Sequence, residues 1–563
     1  MRKTKVNKDQ LINNAVELLM ERQQGISVTP EAVIMRVPTK HGDIRNVSLT
    51  DDWLCRYMEN LFLTEYKAHL SPGDSKLALR QIQAKAEFNN KVTRSYARTY
   101  FNDRVCYLNM GNQEGDIITI SAEGVSGSSL ADTEIQFRTD VGEIAGFVLS
   151  GNPFDLFKLI RIPSDLQLIT MVTMIASMIE SIEKPILSFI GEAGAAKTTA
   201  ARIIKSILDP SDIKDAIKAK TSTMPKTMDN FALIISQQYV TIMDNVTYIT
   251  KDISDMICQQ STGGNYEKRK LYTDTGTVSL SLGGLLIITS TEDIIQRDDA
   301  VDRAIKVRFE PVGNDERIGT SELVEKLEKS KMHILGGMLN TLSKALMLYP
   351  SIKDEKLPLP RLADFGRYGY AIAEALGDGL GNQFLNDYHR LREVQKLENL
   401  NNDGFFTTVS VLLTKNPHYW KGFIGQCAKA LSELNKDEEL GFPKSSFPAP
   451  NKFSKKLEAT KHKLNHYGIK YNTYKKDGMA VLELLKIPAD YLIAGRIIEK
   501  QEILPRTKKD DLFDIERVPI LTDTESIKEY NEYFIRDVIA DIYDDPYNSP
   551  TKDRILQAAI NED

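Results

Sequence analysis

One stretch constrains this chain more than any other: from Pro185 to Leu208 it reads PILSFIGEAGAAKTTAARIIKSIL. The apolar run Ile186 to Ile190 has strand character, small residues fill Gly191 to Ala196, and Lys197, Thr198 and Thr199 open a helical pattern. A strand, a tight loop and a helix in that order build an anion cradle, because glycine and alanine let backbone N–H groups turn inward and the helix adds the positive end of its dipole. On this reading Gly191, Glu192, Ala193, Gly194, Ala195, Ala196 and Thr199 surround the phosphates of ATP, Lys197 reaches the β and γ phosphates, and the Thr198 hydroxyl takes Mg²⁺. Ala196 stands where the usual G-x-x-x-x-G-K-[ST] spacing has its last glycine, and its methyl is expected to crowd the loop. A lysine near the start of an ordinary helix after a buried strand is the plain alternative.

The 563 residues leave room for roughly three or four domains. With 72 basic and 78 acidic side chains the net charge is −6, so any nucleic acid is held by local patches and not by overall charge. Cys55, Cys106, Cys258 and Cys427 form no C-x-x-C pair, which argues against a disulfide framework and a zinc ribbon and for reduced, packed thiols. The opening MRKTKVNKDQ has no apolar core behind it, and no run approaches the roughly 18 apolar residues of a membrane span. A cytoplasmic protein without a membrane partner is therefore expected.

Along the chain, Lys8 to Arg22 and Asp51 to Leu70 carry apolar residues at helical spacing, the second after the capping types Ser48, Thr50 and Asp51. After Ser71-Pro72-Gly73 a helix is expected over Lys76 to Phe88. Lys85, Lys91, Arg94, Arg98 and Arg104 follow, interleaved with Tyr96, Tyr100 and Phe101: either a hold on a nucleic-acid backbone or a solvated basic face. From Val105, VCYLNMG, DIITISAEG and IQFRT read as strands of a small β module ending near Val141. Leu156 to Ile182 is a long apolar helical region, too interrupted to span a membrane, that should cap the nucleotide core.

The second constraint is Tyr239-Val240-Thr241-Ile242-Met243-Asp244-Asn245, 47 residues from Lys197 to Asp244. An apolar strand ending in a carboxylate, next to the loop strand in a parallel sheet, delivers an oxygen to Mg²⁺. Asn245 occupies the place of the usual glutamate, so another group must orient the attacking water or turnover is slow. Ser261 to Gly276 promises a hairpin with Lys268, Arg269 and Lys270 beside Tyr266 and an Asp-Thr-Gly turn, suited to gripping DNA in a channel or to forming a solvated basic edge. Leu285 to Thr291 is a buried strand whose terminal hydroxyls, Thr289 first, sense the γ-phosphate or the water. Arg297 and Arg303 precede the strand Ile305 to Phe309, where an arginine can reach a neighbouring subunit's nucleotide; Arg303 is favoured.

The block DNVTYITKDISDMICQQSTGGNYEKRKLYTDT, then DRAIKVRFEPV and PRLADFGRYGYAIAEALG, resembles the helicase-like ATPases of phage and integrated-element replication proteins, in or near the superfamily 3 and MCM-like AAA+ helicases. The resemblance spans about Val105 to Leu485, and its narrower form is a self-loading Rep-type initiator of a phage-inducible chromosomal island. It implies a ring, a homo-hexamer, moving along single-stranded DNA on ATP and Mg²⁺, with a host primase or polymerase as further partner. It places Lys197 and Thr198 on nucleotide and Mg²⁺, Asp244 on Mg²⁺, Thr289 in the polar sensor position, Arg303 in the finger and Arg361 in a second sensor on a helical lid.

Further on, Asn451 to Tyr467 is a helix carrying Lys452, Lys455, Lys456, Lys461 and Lys463, followed by the strand-like runs Ile469 to Tyr474 and Met479 to Leu485 around Lys475 and Lys476. Helix and basic-tipped hairpin form the pattern of a winged-helix domain for duplex DNA. The whole reads as an α/β protein: an α+β N-terminal region (1–150), a P-loop AAA+ core (151–312), a helical lid (313–400), a winged helix (401–488) and an acidic, partly helical tail (489–563). Three functions follow: an ATP-driven DNA helicase and replication initiator, an origin-binding ATPase switch that melts DNA without processive unwinding, or a primase accessory ATPase.

Overall fold

The computed structural model describes residues 8–486 apart from 30–31, 39–43, 91–93, 113, 131–132, 139–140, 212–217, 270–276, 314–316, 402, 417–418, 467 and 477. The acidic tail and the Asp-Thr-Gly turn lie outside the described residues. The chain forms two compact units, Met1–Gln395 and Lys396–Asp563. No helix among the described residues is long and apolar enough to cross a membrane.

The first unit begins with α1 (Lys8–Arg22), β1 (Gly25–Val28), β2 (Val33–Pro38), β3 (Ile44–Ser48), α2 (Asp52–Tyr66) and α3 (Pro72–Asn89). Both later helices start on side-chain caps: Asp51 accepts from the Trp53 N–H at 2.8 Å, and Ser71 from the Asp74 N–H at 3.2 Å. Ser71-Pro72-Gly73, placed above ahead of a helix over Lys76 to Phe88, is thus the cap and first turn of α3. The antiparallel sheet β1-β2-β3 was not expected; it closes a core with Leu19, Met35, Leu54, Phe62 and Ile82.

A second antiparallel sheet follows, β4 (Thr99–Asn102), β5 (Val105–Asn109), β6 (Asp116–Ser121) and β7 (Gly124–Ser129), paired in that order. IQFRT is not one of its strands; Phe137 makes only an isolated bridge to Tyr96. Nor does Arg98 belong to a basic face of either kind. It is 0% exposed, and its guanidinium bonds the Asn109 carbonyl at 3.0 Å and Asp209 Oδ1 at 3.1 Å. Arg94 lies over the Tyr96 ring and bonds Glu180 and Ser281.

The centre of the unit comprises α4 (Ser164–Ala176), β8 (Ile186–Ile190), α5 (Lys197–Leu208), α6 (Met228–Ser236), β9 (Val240–Met243), α7 (Lys251–Ser261), the antiparallel pair β10 (Asn265–Arg269) and β11 (Thr277–Ser281), β12 (Leu285–Ser290), α8 (Asp298–Val301) and β13 (Ala304–Arg308). The parallel sheet runs β13-β8-β12-β9. Every residue of β8, β9 and β12 is buried, which is why these strands read as continuous apolar runs without alternation. The helices α9 (Thr320–Ile352), α10 (Ala363–Leu376) and α11 (Leu380–Asn401) follow; α9 packs on α4, α5 and α10, and its Ser343 hydroxyl donates to the Ser121 carbonyl of β6 at 2.7 Å.

The second unit holds α12 (Gly404–Lys415), β14 (Tyr419–Phe423), α13 (Ile424–Asp437), α14 (Pro450–His466), β15 (Ile469–Lys476) and β16 (Met479–Lys486). Its sheet runs β14-β16-β15 antiparallel; β14 was not expected. Phe453, Leu457 and Leu464, at helical spacing on α14, pack with Phe405, Leu431 and Leu482.

The two ends of β9 are tied to α5. At its start the Val240 N–H donates to Asp209 Oδ2 at 3.1 Å, and Lys205 Nζ meets the same carboxylate at 2.8 Å and also donates to the Val240 carbonyl. Burial alone would push the Asp209 carboxyl up, but Lys205 and Arg98 beside it hold it below its ordinary value. Removing this acceptor strands two buried cations. Asp209→Asn should therefore lower stability by about 3–5 kcal/mol in urea denaturation. Because its folded value is depressed, the wild-type contribution is complete above about pH 5 and is lost as pH falls through that depressed value; the variant should lack this acid-side loss.

Candidate nucleotide site

The loop between β8 and α5 has the backbone that its composition suggests. Gly191 leaves no room for a side chain, since a Cβ would lie 2.4 Å from the Phe309 carbonyl oxygen, and Gly194 sits at φ 86°. Ala196 is left-handed, at φ 60° and ψ 21°. The usual glycine is thus replaced by an alanine at positive φ, where a Cβ carries a conformational cost. Lys197 is buried, and its ammonium donates to the Gly191 carbonyl at 2.6 Å and the Glu192 carbonyl at 2.7 Å. Burial pulls this ammonium below its ordinary value, with Asp244 acting against the shift.

Three of the expected residues converge. Asp244 Oδ1 accepts from Thr198 Oγ1 at 2.7 Å and from Thr289 Oγ1 at 2.7 Å. Thr289, 1% exposed, also accepts the Asn245 N–H at 2.9 Å, and the Val246 N–H donates to the Thr289 carbonyl at 2.8 Å. Contrary to expectation, the strand of Asp244 is not the neighbour of the loop strand: β12 lies between them. That insertion places Thr289 between the carboxylate and the loop. Asn245 is exposed at φ 52°, a left-handed conformation that asparagine tolerates far better than glutamate does, which accounts for the residue found there. A buried ammonium, two hydroxyls and a carboxylate beside the loop that opens α5 fit a nucleoside triphosphate, and the hard oxygen donors of Thr198 and Asp244 fit Mg²⁺.

The three arginines are not brought to this loop. Arg297 pairs with Asp255 at 2.6 Å and Asp299 at 2.9 Å. Arg303 donates to the Asp299 carbonyl at 2.8 Å, and its own carbonyl accepts the Ile186 N–H, at the opposite end of β8 from the loop. Arg361 pairs at 3.0 Å with Asp302, which also takes Arg392. Five residues of strand, about 16 Å, separate that end from the loop, so within one chain Arg361 does not reach it. Asp302 and Arg392 were not singled out, because pairing across 90 positions leaves no mark on local pattern.

Of the hairpin lysines and arginine, Lys268 pairs with Asp229 at 3.0 Å, and the Tyr266 hydroxyl bonds the same carboxylate at 2.7 Å. Lys270 and the side chain of Arg269 lie outside the described residues. In the second unit Lys452, Lys455, Lys475 and Lys476 are exposed, whereas Lys456 pairs with Asp403 at 3.5 Å and lies over the Phe405 ring.

The strain at Ala196 can be measured. Ala196→Gly should raise the stability of the nucleotide-free protein by roughly 1 kcal/mol in denaturant, whereas Ala196→Val should lower it, since β-branching is poorly tolerated at positive φ.

Residues 156–381 match the family of the actinomycete integrative conjugative element replication protein. No curated protein matches the chain. Similar solved structures include the active helicase Cch of SCCmec type IV, at 11% identity and a TM-score of 0.42 over 82% of this chain and 93% of that one. The apo C-terminal region of NrS-1 follows at 10% identity and 0.35, over 84% and 98%. The JCV helicase gives 14% and 0.22, over 42% and 59%. Scores below 0.5 decide nothing about chemistry. The segment holding the loop, Asp244 and Thr289 is nonetheless similar to replication proteins of integrative elements, and over residues 156–381 the resemblance drawn from the motifs is borne out.

Proposed function

We propose that this chain is an ATP-dependent DNA helicase and replication initiator of a mobile element, assembling as a homo-hexameric ring that translocates on single-stranded DNA. The convergence of Thr198 and Thr289 on Asp244, beside a buried Lys197, carries the reading. Lys197 and the loop N–H groups hold the β and γ phosphates, while Thr198 and Asp244 hold Mg²⁺, which when bound neutralises charge on the phosphate oxygens. Thr289 fixes the carboxylate and the backbone of Asn245 in one network. Helices α9 to α11 act as the lid, and Arg303, favoured over Arg297 and away from the loop in its own chain, is the finger that serves a neighbouring subunit's nucleotide.

The second unit takes duplex DNA as a winged helix, with α14 in the major groove and the β15–β16 hairpin on the backbone. Its exposed Lys452, Lys455, Lys475 and Lys476 support that role. One observation favours the competing switch, in which ATP drives assembly and melting without processive unwinding: Lys268 of the hairpin is already paired with Asp229.

A forked-duplex assay separates the two. Wild type should unwind the fork with Mg-ATP, and Lys197→Ala should abolish unwinding together with binding of a fluorescent ATP analogue; binding without unwinding in the wild type would establish the switch. Replacing Lys452, Lys455, Lys475 and Lys476 by Gln, which spares the core that deletion of α14 would destroy, should weaken duplex binding. The slope of log affinity against log salt should flatten by about 0.9 for each phosphate that the variant no longer neutralises, with ATP turnover retained.

A further inference from the structure

Attack of water on a γ-phosphate is helped by a group that accepts the water's proton, commonly a carboxylate. Asn245 cannot serve, because its neutral amide does not take up a proton at working pH. The carboxylates just past the C-terminal ends of the four parallel strands are Glu192, Asp244, Glu292, Asp293 and Glu310. Asp244 is held by two threonine hydroxyls. Asp293 forms a buried pair with Lys306 at 2.6 Å. Glu310 follows β13, three strand spacings or about 14 Å from β9 on the far side of the loop strand. Glu192 belongs to the loop, whose backbone carries the phosphates.

Glu292 differs from all of these. It is exposed and makes no hydrogen bond or ion pair among the described residues. It follows Thr289 by three residues, which span at most about 10 Å of chain. With Thr247, Tyr248 and Arg297 it lines a cavity of about 290 Å³. Two chain segments that meet at Thr289 continue into its lining: Thr247 follows Asn245 and Val246, whose N–H groups bond Thr289, and Glu292 follows β12.

We propose that Glu292 is the general base for ATP hydrolysis, taking the role that Asn245 cannot fill. The inference rests on the hydrolytic reading above. The water oxygen forms a bond to the γ-phosphorus as the bond from that phosphorus to the bridging oxygen breaks. The electron pair of the broken bond stays on the β-phosphate of ADP, and the water's proton passes to the Glu292 carboxylate and from there to solvent.

The test uses the full chain with Mg-ATP and a single-stranded oligonucleotide. Glu292→Gln should lower phosphate release at least about 100-fold. Affinity for a fluorescent non-hydrolysable ATP analogue should stay within about twofold, and nucleotide recovered from the protein on a filter should be ATP, not ADP. Glu292→Asp should restore part of the rate, and Glu310→Gln should match wild type. Turnover of Glu292→Gln within about threefold of wild type, or a comparable loss in Glu192→Gln or Glu310→Gln without one in Glu292→Gln, overturns the assignment. A wild type that binds the analogue but releases no phosphate overturns the hydrolytic reading itself, and this inference with it.

Discussion

The double tie between α5 and β9 sets the geometry on which the rest of the first unit depends. At one end Thr198, on the first turn of α5, bonds Asp244 just past β9; at the other, Lys205 and Asp209 grip both backbone groups of Val240. A twelve-residue helix is about 18 Å long, and a strand fixed to it at both ends can neither slide nor rotate without breaking charge-assisted bonds. Because β12 is inserted between β9 and β8, the same clamp sets where Thr289 stands. The separation between Lys197, at the start of α5, and Asp244, just past β9, is thereby set by the fold.

Asp209 also joins this clamp to the N-terminal part of the chain through Arg98. Two cations and one carboxylate share a site that water does not reach, so the charges are tolerable only together. The β4–β7 sheet is consequently attached to the nucleotide core by an interaction that cannot be weakened gradually. The hydroxyl bond from Ser343 to Ser121 adds a second attachment, from α9.

Elements set by local pattern were legible in the sequence. The buried runs of β8, β9 and β12, the cap at Asp51, and the α14 face of Phe453, Leu457 and Leu464 follow from periodicity and capping chemistry within a few residues. What the sequence hid depends on partners far along the chain. The strands β1 to β3 are four to six residues each, too short to show a period, and only their pairing makes them strands. Basic residues misled most. Arg98, Lys268 and Lys456 sit in stretches that look like nucleic-acid surfaces, yet each meets a carboxylate from a distant part of the chain, at Asp209, Asp229 and Asp403 respectively. A run of lysines records charge and not where that charge is spent; Lys452, Lys455 and Lys475 are exposed, as contact with a phosphate backbone requires.

The two departures from the expected motif, Ala196 and Asn245, are now physically different. Both sit at positive φ, but alanine opposes that conformation and asparagine suits it. At Ala196 the loop therefore carries strain that its own helix and Gly194 do not remove, a cost borne by the resting state. At Asn245 the residue agrees with its backbone, so the missing carboxylate is built into the turn and not an accident of one side chain. Restoring glutamate there would force a left-handed glutamate against the bond from its N–H to Thr289. A carboxylate near this turn is accordingly supplied from another strand end, and β12, whose Thr289 bonds the Asn245 and Val246 N–H groups, carries Glu292 two residues past its last residue.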